Sequence, residues 1–199
     1  EKQAFVHYLD LGLYFEAFDE FVRRMNPNTD AKGIYKHIKP GHILEKEGRI
    51  ENVLTPGQMI IVQIVKEPIS TKGSRLTAEI SLAGRNIVLL PFAEKVSVSQ
   101  KISSKEEKRR LETLVRSILP KNYGAIIRTA AEGKNAAVLD AEVMSLIEKW
   151  ENSWKKLAKS KDVQLLFTEY SKTTTILRDL LNDSFTNIYV NNENIYEET

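Results

Sequence analysis

GAIIRTAAEGKNAAVLD, residues 124–140, carries the change of hydrophobic period on which the reading of the fold turns. The apolar run before Arg128 predicts a short strand from Gly124 to Thr129. A polar turn, Ala130 to Lys134, follows. Asn135 stands where an N-cap belongs, since its side-chain oxygen can accept an N–H group left unpaired by a first helical turn. Val143, Leu146, Ile147, Trp150, Trp154 and Leu157 then recur at spacings of three and four. That spacing predicts one long helix reaching about Lys159, with these residues as its buried stripe.

Working outward, Leu111, Leu114, Val115 and Ile118 mark an amphipathic helix over 105–119, stopped by Pro120. Helix, strand and helix make an α/β unit. Upstream the period is that of strands. MIIVQIVKE (59–67), RLTAEISL (75–82) and NIVLLPF (86–92) are β-branched segments separated by breakers, the pattern of an antiparallel meander. LYFEAFDEFVRRM (13–25) predicts a helix ended by Asn26-Pro27, and 26–51, with His37 and His42, reads as an irregular excursion. The tail offers a strand at 164–170, a helix at 173–182 and a strand at 187–190. The expected class is α+β: a β-rich portion over 1–80, an α/β portion over 81–162 and a further fragment over 163–199.

Bulk properties exclude more than they assign. In 199 residues, Lys and Arg total 29 against 27 acidic residues, so the net charge of +2 is no argument for a polyanionic partner and any such affinity must come from local clustering. The absence of cysteine removes disulfide frameworks, thiolate zinc sites and cysteine nucleophiles, and fits a reducing compartment. His7, His37 and His42 lack the spacing and carboxylate partners of a metal or acid–base site. Asp140, Glu142 and Asp179 fall on predicted helices, where solvated faces are their expected role. The apolar runs are far shorter than the roughly 20 residues of a spanning helix, and no charged-then-apolar leader opens the chain. A soluble, cytoplasmic protein is expected. Glu1 in place of Met points to a piece of something longer.

Chemistry concentrates at IIRTAAEGKN. A turn at a helix N-terminus presents free N–H groups and the positive end of the helix dipole, which suits an anion. Arg128 adds a planar guanidinium able to hold phosphate in two places, Thr129 a hydroxyl and Lys134 a further cation. A nucleotide P-loop is ruled out, because Arg128 stands where its first glycine belongs and Asn135 where its Ser or Thr does. An ordinary strand-to-helix connection is the competing reading.

Two segments resemble the ribonuclease E/G family. QIVKEPISTKGSRLTAEISLAGRNIVLLPF (63–92) resembles the stretch leaving that family's OB-fold RNA-binding domain, of the type named after the first protein of the small ribosomal subunit. GAIIRTAAEGKNAAVL (124–139) resembles its 5′-sensor motif, and the likeness runs in order from Phe5 to about Val190. It implies a partial OB-fold barrel with a helical insertion over 1–80, a 5′-sensor domain over 81–162 and part of an RNase H-like subdomain over 163–199. It further implies that Arg128 and Thr129 grip a 5′-terminal phosphate, with Val88 near the terminal nucleotide and Lys134 close by. Phe5, Lys66, Lys72 and Lys101 are implied as RNA contacts. Phe5, between Ala4 and Val6, reads more readily as core than as a stacking platform on the burial tendency of Phe.

The departures are specific. Ala131, Glu132 and Asn135 stand where relatives carry other residues, and Gln100 replaces an arginine, leaving Lys101 to carry the charge. The partner implied is single-stranded RNA bearing a 5′-monophosphate. The whole enzyme is implied to be a homo-oligomeric, magnesium-dependent endoribonuclease of RNA processing and decay, whose metal-holding carboxylates match no segment here; no cofactor is expected for this fragment. A stand-alone RNA-binding adaptor would share these features. A structural protein without an RNA role would bury Arg128 in an internal ion pair and close the turn to solvent.

Overall fold

The computed structural model describes residues 3–39, 43–159, 162–169, 172–181 and 184–198. They belong to two compact units, Glu1–Gln164 and Leu165–Thr199. The first is a mixed α+β structure with two small sheets. One joins β1 (Phe5–Val6), β2 (Gln63–Lys66) and β3 (Arg75–Thr77) in the order β1-β3-β2, with β3 parallel to β1 and antiparallel to β2. The other joins β4 (Leu82–Ala83), β5 (Ile87–Pro91), β6 (Val96–Val98) and β7 (Tyr123–Ile127) in the order β4-β5-β7-β6. Among the described residues neither sheet closes on itself.

In the four-stranded sheet, β5 and β7 are antiparallel with Ile87 opposite Ile127, Val88 opposite Ile126 and Leu89 opposite Ala125. Side chains alternate across a strand, so Ile87, Leu89, Ala125 and Ile127 turn to one face and are fully buried. Two helices cover that face. In α3 (Lys105–Ile118), Leu111 and Val115 point inward, and Ser104 caps the first turn by accepting from Glu107 N–H at 3.1 Å. In α4 (Ala136–Leu157), Leu139, Val143, Leu146, Ile147, Trp150 and Trp154 form the buried seam. Asn135 caps it through Val138 N–H at 3.0 Å. Leu157, expected in that seam, is only half-buried. Val88 and Ile126 remain on the opposite, open face.

The meander expected over 59–92 is split between the sheets, because the chain leaves β3 after Thr77 and β4 pairs with β5 instead. The excursion over 26–51 holds a helix, α2 (Ala31–His37), started by the Asp30 carboxylate, which accepts from Gly33 N–H. His42 lies outside the described residues. With α1 (Phe15–Arg24), α2 packs onto the far end of the second sheet. Phe18 and Phe21 meet Phe92, Phe21 meets Trp154, and Tyr35 meets Phe92 and Tyr123. The Tyr35 hydroxyl donates to Asn122 O at 2.8 Å and accepts from Phe92 N–H at 3.1 Å, while Asn122 Nδ2 donates to Tyr35 O and Ile38 O. Burial pushes both phenols, Tyr35 and Tyr123, above the usual tyrosine range, so both stay protonated.

The second unit contains α5 (Lys172–Leu180) and α6 (Glu193–Glu198). The strands expected at 164–170 and 187–190 are not formed at the described positions. Leu165 and Tyr189 are 70% and 92% exposed, and β-branched composition makes a strand only where a neighbour pairs its backbone. Tyr170 lies outside the described residues.

Candidate functional site

The end of β7 delivers Arg128 in extended backbone, its N–H bonded to Asn86 O at 2.8 Å, and the chain then enters a single 3-10 turn over Thr129–Ala131. Arg128 is half-buried, and its guanidinium Nη1 donates to Gly84 O at 2.8 Å. Gly84 is required here, because a Cβ would overlap Glu142 Oε1 and come within 2.8 Å of Ile87 O. Glu142 in turn accepts from Asn86 N–H at 2.9 Å and from Asn86 Nδ2 at 2.7 Å. Its role is thus not that of a solvated helix residue. No spacing rule links a Glu on one helix to a backbone N–H far upstream, and so sequence reasoning missed it.

Thr129 is exposed, as are Ala130, Glu132, Gly133, Lys134 and Asn135, so the turn is open to solvent. Thr129 Oγ1 lies 3.1 Å from Ser99 Oγ, which also accepts from Lys101 N–H at 3.3 Å. Ser99 N–H is itself fixed to Ile127 O at 2.8 Å. The loop after β6 is therefore laced to the end of β7, bringing Lys101 and Gln100 to the same edge as Thr129. Lys108 of α3 reaches back to Gln100 O at 3.4 Å.

At the start of α4 the N–H groups of Asn135, Ala136 and Ala137 make no hydrogen bond among the described residues, while others nearby are taken. Asn135 occupies Val138 N–H in the first turn of α4, and Gly133 N–H donates to Glu107 Oε1 at 2.8 Å. Among the described residues the N–H groups of Thr129 and Ala130, which open the 3-10 turn, make no hydrogen bond. They adjoin Arg128 directly. Lys134 and Glu132 extend from the following residues, exposed and of opposite charge. Val88 and Ile126, in register on neighbouring strands, give the open sheet face an apolar patch, with Val88 half-buried and Ile126 41% exposed.

Phe5 and Lys66 fall in the other sheet, and Lys72 in the turn between β2 and β3. Phe5 and Lys66 both stand in register with Arg75, one on each side. Phe5 is 41% exposed with its ring edge-on to His7, and Lys66 is exposed. Lys72 is exposed in the turn closed by mutual backbone bonds with Ile69. Between the two, Arg75 makes a bidentate contact with Asp10, at 3.1 and 2.9 Å, and holds that carboxyl below its ordinary range.

The sequence from the four-stranded sheet onward matches the model of the ribonuclease E/G family over residues 81–199. The chain belongs to the ribonuclease E/G family. The matched region includes Val88, Lys101, Arg128, Thr129 and Lys134, whereas Phe5, Lys66 and Lys72 precede it. Similarity to individual ribonuclease E/G proteins extends further. The chain is 35% identical over 196 residues to the ribonuclease E/G-like protein of Pyropia yezoensis, covering 94% of this chain and 38% of that protein. It is 31% identical over 198 residues to ribonuclease G of Haemophilus influenzae, covering 100% and 36% respectively. To ribonuclease E of a Nostoc species it is 34% identical over 180 residues, 90% of this chain and 22% of that protein. The chain thus spans well under half the length of these ribonuclease E/G relatives.

Proposed function

We propose that this chain binds single-stranded RNA and recognises a 5′-terminal monophosphate, serving as the RNA-binding and 5′-sensing part of a ribonuclease E/G endoribonuclease of RNA processing and decay. The observation that carries the reading is the pairing of a half-buried, Gly84-anchored Arg128 with an exposed Thr129 at the mouth of a solvent-open turn. A terminal monophosphate offers three oxygens and up to two negative charges. The Arg128 guanidinium, the Thr129 hydroxyl and the N–H groups of Thr129 and Ala130 are complementary to that group, and charge-assisted hydrogen bonds of this kind are the strong ones. Val88 and Ile126 offer an apolar face to the terminal base, and Lys101 and Lys134 supply screening charge at the rim. Glu132 points into solvent.

On this reading residues 81–162 act as the 5′ sensor, and residues 1–80 as part of an OB-fold in which Phe5 stacks a base while Lys66 and Lys72 flank the strand. Residues 163–199 belong to an RNase H-like subdomain. Magnesium is assigned on this reading to the whole enzyme and not to this chain. Among the described residues no group of three or more His, Asp or Glu converges to hold a metal ion. No helix among them is long and apolar enough to cross a membrane. We place the whole protein in the cytoplasm, as a homo-oligomer.

The test is fluorescence anisotropy with matched oligonucleotides that differ only in a 5′-monophosphate or 5′-hydroxyl. The wild type should prefer the phosphate, and Arg128→Ala should erase the preference, a loss of about tenfold to a hundredfold given the worth of hydrogen bonds to charged groups. Binding through internal phosphates should persist and weaken with salt. Equal affinity of the wild type for both ends at low salt sinks the proposal.

A further inference from the structure

We infer that Glu107 and Arg110 of α3 are positioning residues for the phosphate turn, an inference that rests on the 5′-end reading above. Gly133 itself is not wedged in place by its neighbours. It is exposed, takes the left-handed conformation at φ 72°, and has open space within 4 Å of where a Cβ would stand. Only Gly enters this region at no steric cost, and the same freedom lets it leave. The bond that Gly133 N–H makes comes from α3.

Glu107 Oε1 accepts from Gly133 N–H at 2.8 Å. Arg110 grips the same carboxylate with both prongs, Nε to Oε2 at 2.6 Å and Nη2 to Oε1 at 2.7 Å. Its Nη2 also donates to Lys134 O at 3.0 Å. A donor and an acceptor on consecutive turn residues are thereby clamped by one side-chain pair, itself planar and bidentate. Glu107 is the better shielded partner, its side chain 17% exposed against 42% for Arg110.

The clamp reaches the proposed ligands through short links. Glu132 N–H donates to Thr129 O at 3.1 Å and Lys134 N–H to Ala131 O at 3.0 Å, so displacing Gly133 displaces the 3-10 turn that carries Thr129. The carboxylate also occupies the Gly133 N–H, so that within the turn over 129–134 the N–H groups of Thr129 and Ala130, next to Arg128, are the donors left open among the described residues. An exposed ion pair contributes little to global stability, so its value here is geometric.

The test compares wild type with E107A, R110A, E107Q and R128A in three readouts: the affinity ratio for 5′-monophosphorylated over 5′-hydroxyl RNA, the amide exchange rate of Gly133, and Tm. E107A and R110A should lower the ratio about tenfold, the scale set by one charge-assisted hydrogen bond, and accelerate Gly133 exchange. Their Tm should fall by less than about 4 °C, as for an exposed pair. E107Q, which keeps an acceptor for Gly133 N–H, should restore part of both readouts, and it replaces E107A if that variant fails to fold. A ratio that falls in R128A but is untouched in E107A and R110A overturns this inference alone. A ratio unchanged in R128A overturns the 5′-end reading and this inference with it.

Discussion

Replacing Gly84 by alanine tests the support beneath Arg128. The new methyl would overlap Glu142 Oε1 and sit within 2.8 Å of the Ile87 carbonyl oxygen. The carboxylate is the movable partner, but moving it strips Asn86 of an acceptor shared by its N–H and its Nδ2, on a residue that is 5% exposed. Hydrogen bonds to a charged acceptor are worth about 1.5–3 kcal/mol each, and partial access of water to Glu142 returns some of that, leaving a loss on the order of 2–4 kcal/mol. For a unit of this size that is roughly 5–15 °C in Tm, measured by circular dichroism on heating. Because Glu142→Ala removes the carboxylate overlap and the acceptor together, leaving only the contact with Ile87 O, the losses of the two single variants should be less than additive in the double variant. Additive losses, or a Gly84→Ala variant that melts within about 2 °C of wild type, would refute the reasoning. The Gly84 carbonyl also receives Arg128 Nη1, so the same substitution should weaken 5′-monophosphate preference.

Two further outcomes follow from buried and charged groups. Tyr35→Phe keeps the ring but strands Phe92 N–H and removes a donor to Asn122 O, so unfolding in urea should show a loss of about 1–3 kcal/mol; no change would mean that the hydroxyl does not tie α2 to the sheet. Glu107 is held down to about 2 from an ordinary 4.5, first by its hydrogen bonds from Arg110 and then by Gly133 N–H. A depressed carboxyl stabilises the fold above its unfolded value, so that contribution should be intact at neutral pH and fade as pH falls from about 4.5 toward 2. A carboxyl carbon titration of Glu107 by NMR with a midpoint near 4.5 would contradict the clamp.

The elements readable in the sequence were those with several turns of periodic apolar residues or a recognisable cap. α3, α4 and α1 are of this kind, with Asn135 as the cap of α4. α2 escaped because seven residues containing Gly33 give too few repeats, although Asp30 three residues ahead of Gly33 was an available signal. β6 is three residues long and is defined by its parallel partner β7, a long-range pairing that no local pattern encodes. The division of the meander between two sheets is of the same nature. The placement of Arg128 and Thr129 between a strand and a turn was legible from the local pattern, whereas Glu107 on Gly133, Glu142 on Asn86 and Ser99 on Thr129 are contacts between segments 26, 56 and 30 residues apart. Such contacts exist only once the sheet is assembled.

The central claim is that the turn after β7 receives a 5′-terminal phosphate. The most direct measurement is a two-dimensional amide NMR titration of the folded chain with a short 5′-monophosphorylated single-stranded RNA and, separately, its 5′-hydroxyl counterpart. The monophosphorylated strand should shift the amides of Thr129 and Ala130 most, with Lys101 and Val88 following, and the hydroxyl strand should leave Thr129 and Ala130 nearly still. Equal shifts for both strands, or shifts that avoid residues 128–134, would contradict it.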